Sequence, residues 1–303
     1  MLRLDFLHLT DSESFQKKTE TEWLETNGLG GYASSSLSGL NTRGYHGLLI
    51  ASNTPPTDRH VLVARLDESI IFNYPKTENT ITSSQNSERI DLALREYPGN
   101  TFNPNGSSYL KTISKETHIC FLYQIPNPEL PEQIFLLKKE ILCPHGEQRT
   151  IIRYTLEIEC PNSTNAELTS QKNLISAENQ PELELELRLF MAGRSIHGRT
   201  KAVDSQQLFN TKKVDEGHFT IAQSQPDFVT HIQARRSQID LAPDWYYNLQ
   251  LNEERMRGYE FSEDLFCPAT ITLKLTTSTP IYIVLSANEP FNGNPSNHPL
   301  YLS

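Results

Sequence analysis

Between Glu22 and Leu49 the chain gathers Trp23, Tyr32, Arg43, Tyr45 and His46 together with six of its 14 glycines. These side-chain types can grip a sugar. An aromatic ring packs on the C–H face of a pyranose, while a forked guanidinium and an imidazole bond its vicinal hydroxyls. Taken singly, a tryptophan or histidine is more often a core residue with a satisfied internal hydrogen bond, and that plainer reading stands beside the functional one. Gly28, Gly30 and Gly31 have the spacing of a phosphate-cradling loop, but Ala33 follows them, no Lys-Ser or Lys-Thr pair is near, and no strand-to-helix pattern surrounds them. A turn requiring positive φ or close backbone packing accounts for these glycines better.

Glycoside hydrolysis would require two carboxyl groups about 5 to 10 Å apart. Glu25, Glu253, Glu254, Glu263 and Asp264 lie in aromatic- or arginine-bearing segments. Helix-terminus charges and ion pairs with Arg255 and Arg257 are their more ordinary use. No Ser-His-Asp order or nucleophile elbow is present. Cys120, Cys143, Cys160 and Cys267 stand far apart with no paired-cysteine or histidine-rich spacing, so neither a zinc site nor a disulfide framework is indicated, and no metal or cofactor is expected.

The elements that must position these residues read as strands. β-Branched and aromatic residues concentrate at 46–52, 60–66, 69–74, 117–125, 133–142, 150–158, 182–190, 228–233, 270–275 and 280–286. In Leu183-Glu184-Leu185-Glu186-Leu187-Arg188-Leu189 every second side chain is leucine, which lines one face of a strand with apolar groups and the other with charge. So many half-buried antiparallel strands predict an all-β fold, an antiparallel two-sheet β-sandwich with one or two short helices. The best helical pattern lies within 244–258. Segments 75–87 and 161–180 read as polar loops or insertions, and Asn162-Ser163-Thr164 is a sequon of little weight without a secretory context. Residues 1–287 are expected to form the domain, with 288–303, carrying three prolines, as a linker-like tail.

Charge excludes some partners. Against 37 acidic residues there are 27 basic ones, a formal net charge of −10, which leaves no footprint for a nucleic-acid backbone. The longest apolar runs, at 120–123 and 281–285, fall far short of a membrane-spanning helix, so no membrane partner is expected. The start, Met1-Leu2-Arg3-Leu4-Asp5, offers no secretory pattern, and a cytoplasmic location is expected.

The run from Glu22-Trp23-Leu24-Glu25-Thr26-Asn27-Gly28-Leu29-Gly30-Gly31-Tyr32 to Asn41-Thr42-Arg43-Gly44-Tyr45-His46-Gly47 resembles the signature of the N-terminal domain of bacterial and archaeal glycogen debranching enzymes, of the amylo-α-1,6-glucosidase type. Two later segments resemble the same domain in order. Arg194 and His197 match its Arg-x-x-His segment; Asp244-Trp245-Tyr246-Tyr247, Glu253-Glu254-Arg255-Met256-Arg257-Gly258 and Glu263-Asp264-Leu265-Phe266 match the next. Departures are Gly193 and Ser195 beside Arg194 and the insertion 161–180. The resemblance implies a supersandwich like the N-terminal domain of glucoamylases, placed ahead of an α/α-barrel whose own carboxylates cut α-1,6 branch points. No residue here is matched to those carboxylates, so the isolated chain is not expected to hydrolyse glucan.

The expected role is to position α-glucan, as glycogen or maltooligosaccharide, or to brace a catalytic barrel in cis or on a separate chain. Trp23, Tyr32, Arg43, Tyr45, His46, Arg194, His197, Trp245, Tyr246 and Arg257 are the candidate contacts. Two alternatives remain. One is a sugar epimerase pairing His46 or His197 with Glu263; the other is a purely structural interaction module.

Overall fold

Two antiparallel sheets pack face to face, as the alternating segments predict. The computed structural model describes residues 2–6, 11–75, 87–159, 181–204, 209–224 and 227–297. In chain order the strands begin with β1 (Leu2–Asp5), β2 (Glu22–Thr26), β3 (Tyr32–Ser36), β4 (Gly47–Thr54), β5 (Thr57–Asn73), β6 (Ser87–Asp91), β7 (Leu94–Tyr97) and β8 (Thr101–Asn105). The middle of the chain gives β9 (Leu110–Lys115), β10 (Ile119–Pro126), β11 (Ile134–Leu142), β12 (Arg149–Glu159) and β13 (Glu182–Ser195). Then come β14 (Phe209–Asp215), β15 (His218–Ser224), β16 (Asp227–Gln233), β17 (Ser237–Asp240), β18 (Asp244–Gln250), β19 (Ser262–Cys267), β20 (Thr270–Leu275) and β21 (Ile281–Ala287). Among the described residues the α-helices are α1 (Asp11–Glu20) and α2 (Asn252–Met256).

The first sheet runs β1-β9-β10-β11-β12-β21-β16-β15-β14; the second runs β17-β20-β13-β5-β4-β3-β2, with β6 paired to β5 and the β18–β19 pair joined through β13. In β10, Ile119, Phe121, Tyr123 and Ile125 turn inward while the residues between them are half-exposed. In β13, Leu183, Leu185, Leu187 and Leu189 do the same from the other sheet. These two leucine- and aromatic-bearing faces meet in one large core.

Alternation stops where a strand is covered on both sides. β5 is buried without a break from His60 to Ile70, and β13 from Leu189 to Arg194. A second, smaller core lies here, built from Ile50, Val61, Ala64, Phe190, Ala192, Leu249, Leu265 and Cys267. The β7–β8 hairpin and β18 cover this half of the sheet through charge as well as apolar contact. Arg65 and Arg95 share Asp67 at 2.6 and 3.0 Å, and the Arg95 guanidinium lies over the Tyr246 ring at 4.9 Å. The candidate site sits at the end of this covered half.

One expectation is corrected, one is met, and one helix was not anticipated. Segments 60–66 and 69–74 are one strand, β5, because the interior of a doubly covered strand has no periodicity to separate its halves. The short helix expected within 244–258 is present as Asn252–Met256, with Glu253 and Glu254 in its first turn, while Asp244–Gln250 pairs with β19 and Gly258 ends the turn at φ 76°. Helix α1 carries no apolar stripe to announce it; it buries Ser14 and Lys18 and sets Phe15 edge-on to Phe102 at 5.1 Å. Segment 76–86 and residues 160–180, with Cys160 and the sequon, lie outside the described residues. Residues 288–297 run along the sandwich: Gln233 bonds both the N–H and C=O of Phe291, whose ring lies under Arg149 at 4.7 Å. No helix of the described residues is long and apolar enough to cross a membrane.

Candidate functional site

Six of the ten candidate residues come together where the loop 41–47 meets the ends of β13 and β19 and helix α2. β13 carries one extra residue against β5 between Met191 and Arg194, and Gly193 takes φ 61° within that bulge. The bulge bends the strand where Arg194 leaves it. Arg194 donates through Nε and Nη2 to the two oxygens of Glu263, the second bond 2.9 Å long, and both side chains are more than nine-tenths buried. The remaining capacity of the pair is also filled. Arg194 Nη1 donates to the Gly44 carbonyl at 2.7 Å, and Glu263 Oε1 accepts from the Thr200 amide at 3.1 Å. Such completeness offsets the cost of taking two charges out of water.

Gly44 is held from its other side too, its amide donating to Glu254 Oε1 at 2.8 Å. A Cβ there would fall on the Arg199 guanidinium and displace it. Arg199 Nη2 is 3.6 Å from the same Glu254 oxygen and Nε donates to the Glu260 carbonyl at 3.0 Å. Burial and the neighbouring Arg194 both hold Arg199 below the usual arginine range.

On the flank, Arg43 donates through Nε to Glu22 Oε1 and lies 3.3 Å from Glu253. His46, whose side chain is sealed from solvent, accepts the Thr42 amide at Nδ1 (3.1 Å) and sets Nε2 3.5 Å from Glu22. His46, then Arg43, hold the Glu22 carboxyl down at about 2 against the opposing effect of burial. Tyr32 donates its hydroxyl to the Tyr45 carbonyl at 3.0 Å, and burial pushes that phenol up to about 12. Facing outward, Tyr45 is 38% exposed, Arg257 reaches its hydroxyl at 3.4 Å, and the same guanidinium lies over the Tyr259 ring at 5.2 Å.

The other four candidates do not join this group. Trp23 belongs to the main core, edge-on to Phe121 at 5.8 Å with its indole N–H on the Ser36 carbonyl at 3.2 Å, so its plainer reading holds. Trp245 packs on Phe266 and Phe209, and Tyr246 on Phe190, on opposite faces of β18. His197 is exposed in the turn that follows β13. Glu22, Arg199, Glu253, Glu254 and Tyr259 complete the site. Of these, Glu253 and Glu254 entered the sequence reading as acids, and only the Arg-Gly-Tyr adjacency at 257–259 could have signalled Tyr259.

The five carboxylates weighed for hydrolysis are all engaged. Glu25 pairs with Lys115 at 2.7 Å, and Asp264 accepts the Ala202 and Asn248 amides at 3.0 and 2.8 Å. Glu253, Glu254 and Glu263 are held as described. Neither His46 nor His197 bonds Glu263, so the epimerase pair is not assembled. Among the described residues no three His, Cys, Asp or Glu side chains gather as metal ligands.

The fold and the buried Arg194–Glu263 clamp together define the class, a large antiparallel two-sheet β-sandwich whose second sheet carries a loop-borne polar site at its outer end. The chain belongs to the glycogen debranching enzyme N-terminal family, whose model matches residues 21–282. Every candidate site residue falls inside that match. Among curated proteins, none matches this chain.

Removing Arg194 alone strands a buried carboxylate. Arg194→Met is expected to cost about 3 to 5 kcal/mol in urea denaturation, and Arg194→Met/Glu263→Met less than the single change. Glu22 supplies a pH signature. Its folded-state value lies below its ordinary 4.5, so its stabilisation is complete above that pH and is lost as pH falls toward about 2. Acid titration of stability should therefore be less steep in that window for Glu22→Gln than for the parent.

Proposed function

We propose that this chain is a non-catalytic N-terminal domain that positions α-glucan for an α/α-barrel α-1,6-glucosidase domain, in cis or on a partner chain. One observation carries the reading: Tyr45, Arg257 and Tyr259 form an exposed aromatic–guanidinium group, in which Tyr45 stands on a loop whose backbone is fixed by buried charge and Arg257 and Tyr259 follow helix α2. Aromatic faces stack on pyranose C–H surfaces and a guanidinium bonds vicinal hydroxyls; a fixed platform loses little entropy on binding. The engaged carboxylates support a positioning role over an acid–base one.

A bracing role has its own observation. Met256, next in sequence to Arg257, exposes 67% of its surface, and Tyr259 within the group exposes 58%, which suits burial against a neighbouring domain.

Glycogen retardation in native gels and calorimetry with linear maltooligosaccharides separate the two. The positioning role predicts binding that Tyr45→Ala or Arg257→Ala weakens by roughly tenfold, the scale of a lost stacking or charge-assisted contact. Absence of binding to either glucan would refute it and leave the bracing role.

A further inference from the structure

We infer that the cavity between α1 and the segment 105–111 binds a phosphate-type oxyanion, either as the free ion or as the monoester of a small sugar. The cavity measures about 340 Å³, at the small end of the roughly 300–1,000 Å³ typical of small-molecule sites. It lies before and beside the start of the family match at residue 21 on its α1 side, and it shares no residue with the clamp.

Lys18 is the central feature. It is 3% exposed, and its ammonium donates to the Ser107 carbonyl at 2.8 Å and rests over the Phe6 ring at 4.9 Å. Among the described residues, that hydrogen bond occupies one of its three donors. Lys111 lines the same cavity and acts on Lys18 as a like charge, while Asp11 opposes it from the first turn of α1. Burial first, and Lys111 second, bring the Lys18 amine down to about 8. Among the described residues that line the cavity, two ammonium groups and one carboxylate leave a net positive charge, in a chain whose net charge is −10. A dianion there would relieve the repulsion and fill the open donors.

The surroundings select the ligand class. Ser14, one helical turn before Lys18 on the same face, brings a hydroxyl, as does Ser108, and Asn105 brings an amide. Point-charge ammonium groups and hydroxyls spread in three dimensions suit a tetrahedral oxyanion; a planar carboxylate is better met by the fork of an arginine. Phe15, half-buried on the wall, offers ring surface to a pyranose carried by the phosphate.

The test is calorimetry on the full chain with inorganic phosphate and with glucose 6-phosphate, at an ionic strength matched by chloride, repeated for Lys18→Met and Lys111→Ala. Lys18→Met refills the same volume without the charge, and its circular dichroism and urea midpoint report that it folds. Saturable binding that falls by tenfold or more in both variants is expected, about what a lost charge-assisted contact removes. Tighter binding of the sugar phosphate would identify the monoester, and equal binding the free ion; both support the site. No heat above the chloride control, or equal affinity in the variants, would overturn it. So would a Lys18 amine whose titration, followed by pH-dependent acylation, saturating phosphate leaves unmoved.

Discussion

A guanidinium–carboxylate pair sealed from water, Arg194 with Glu263, is the interaction on which the outer face of this sandwich depends. Ions of this kind are costly to bury, and they persist only where each donor and acceptor finds a partner. Here those partners are backbone groups of two other segments, the Gly44 carbonyl and the Thr200 amide. Electrostatic satisfaction of one pair therefore fixes the course of loop 41–47 and of the turn leading to Thr200. Glu254 repeats the arrangement from α2 by accepting the Gly44 amide. Tyr45 is presented to solvent because the residue before it is held at both its polar groups.

This clamp needs a platform, and the sheet supplies it by giving up its alternation. Where β5 and β13 are buried on both faces, the β7–β8 hairpin and β18 form a partial third layer, joined by Arg65, Asp67 and Arg95 as well as by Phe190 and Leu265. Charge and apolar surface divide the work there. The apolar residues exclude water, and exclusion of water strengthens the ion pairs. The bulge at Gly193 then delivers Arg194 at the rim of that layer.

The two-sheet architecture was legible in the sequence because β10 and β13 are each wet on one face, and a period of two survives wherever that holds. β5 was misread as two strands because double burial erases the period, and α1 was missed because its buried face is Ser14 and Lys18 rather than an apolar stripe. Among site residues, the local run 43–46 was legible as a group. Its anchors were not: Arg194 and Glu263 are 69 residues apart, and Gly44 and Glu254 are 210 apart. No spacing rule joins such partners. Trp23 and Trp245, both conspicuous by type, pack into cores instead.

The central claim, that buried charge fixes the loop bearing Tyr45, is tested most directly at one amide. Loop amides ordinarily exchange with solvent deuterium quickly, whereas protection marks a persistent hydrogen bond. Hydrogen exchange at Gly44, resolved by NMR, should show protection comparable to strand amides of β13, and Glu254→Gln should reduce it. A Gly44 amide that exchanges at the rate of an unprotected loop would contradict the account.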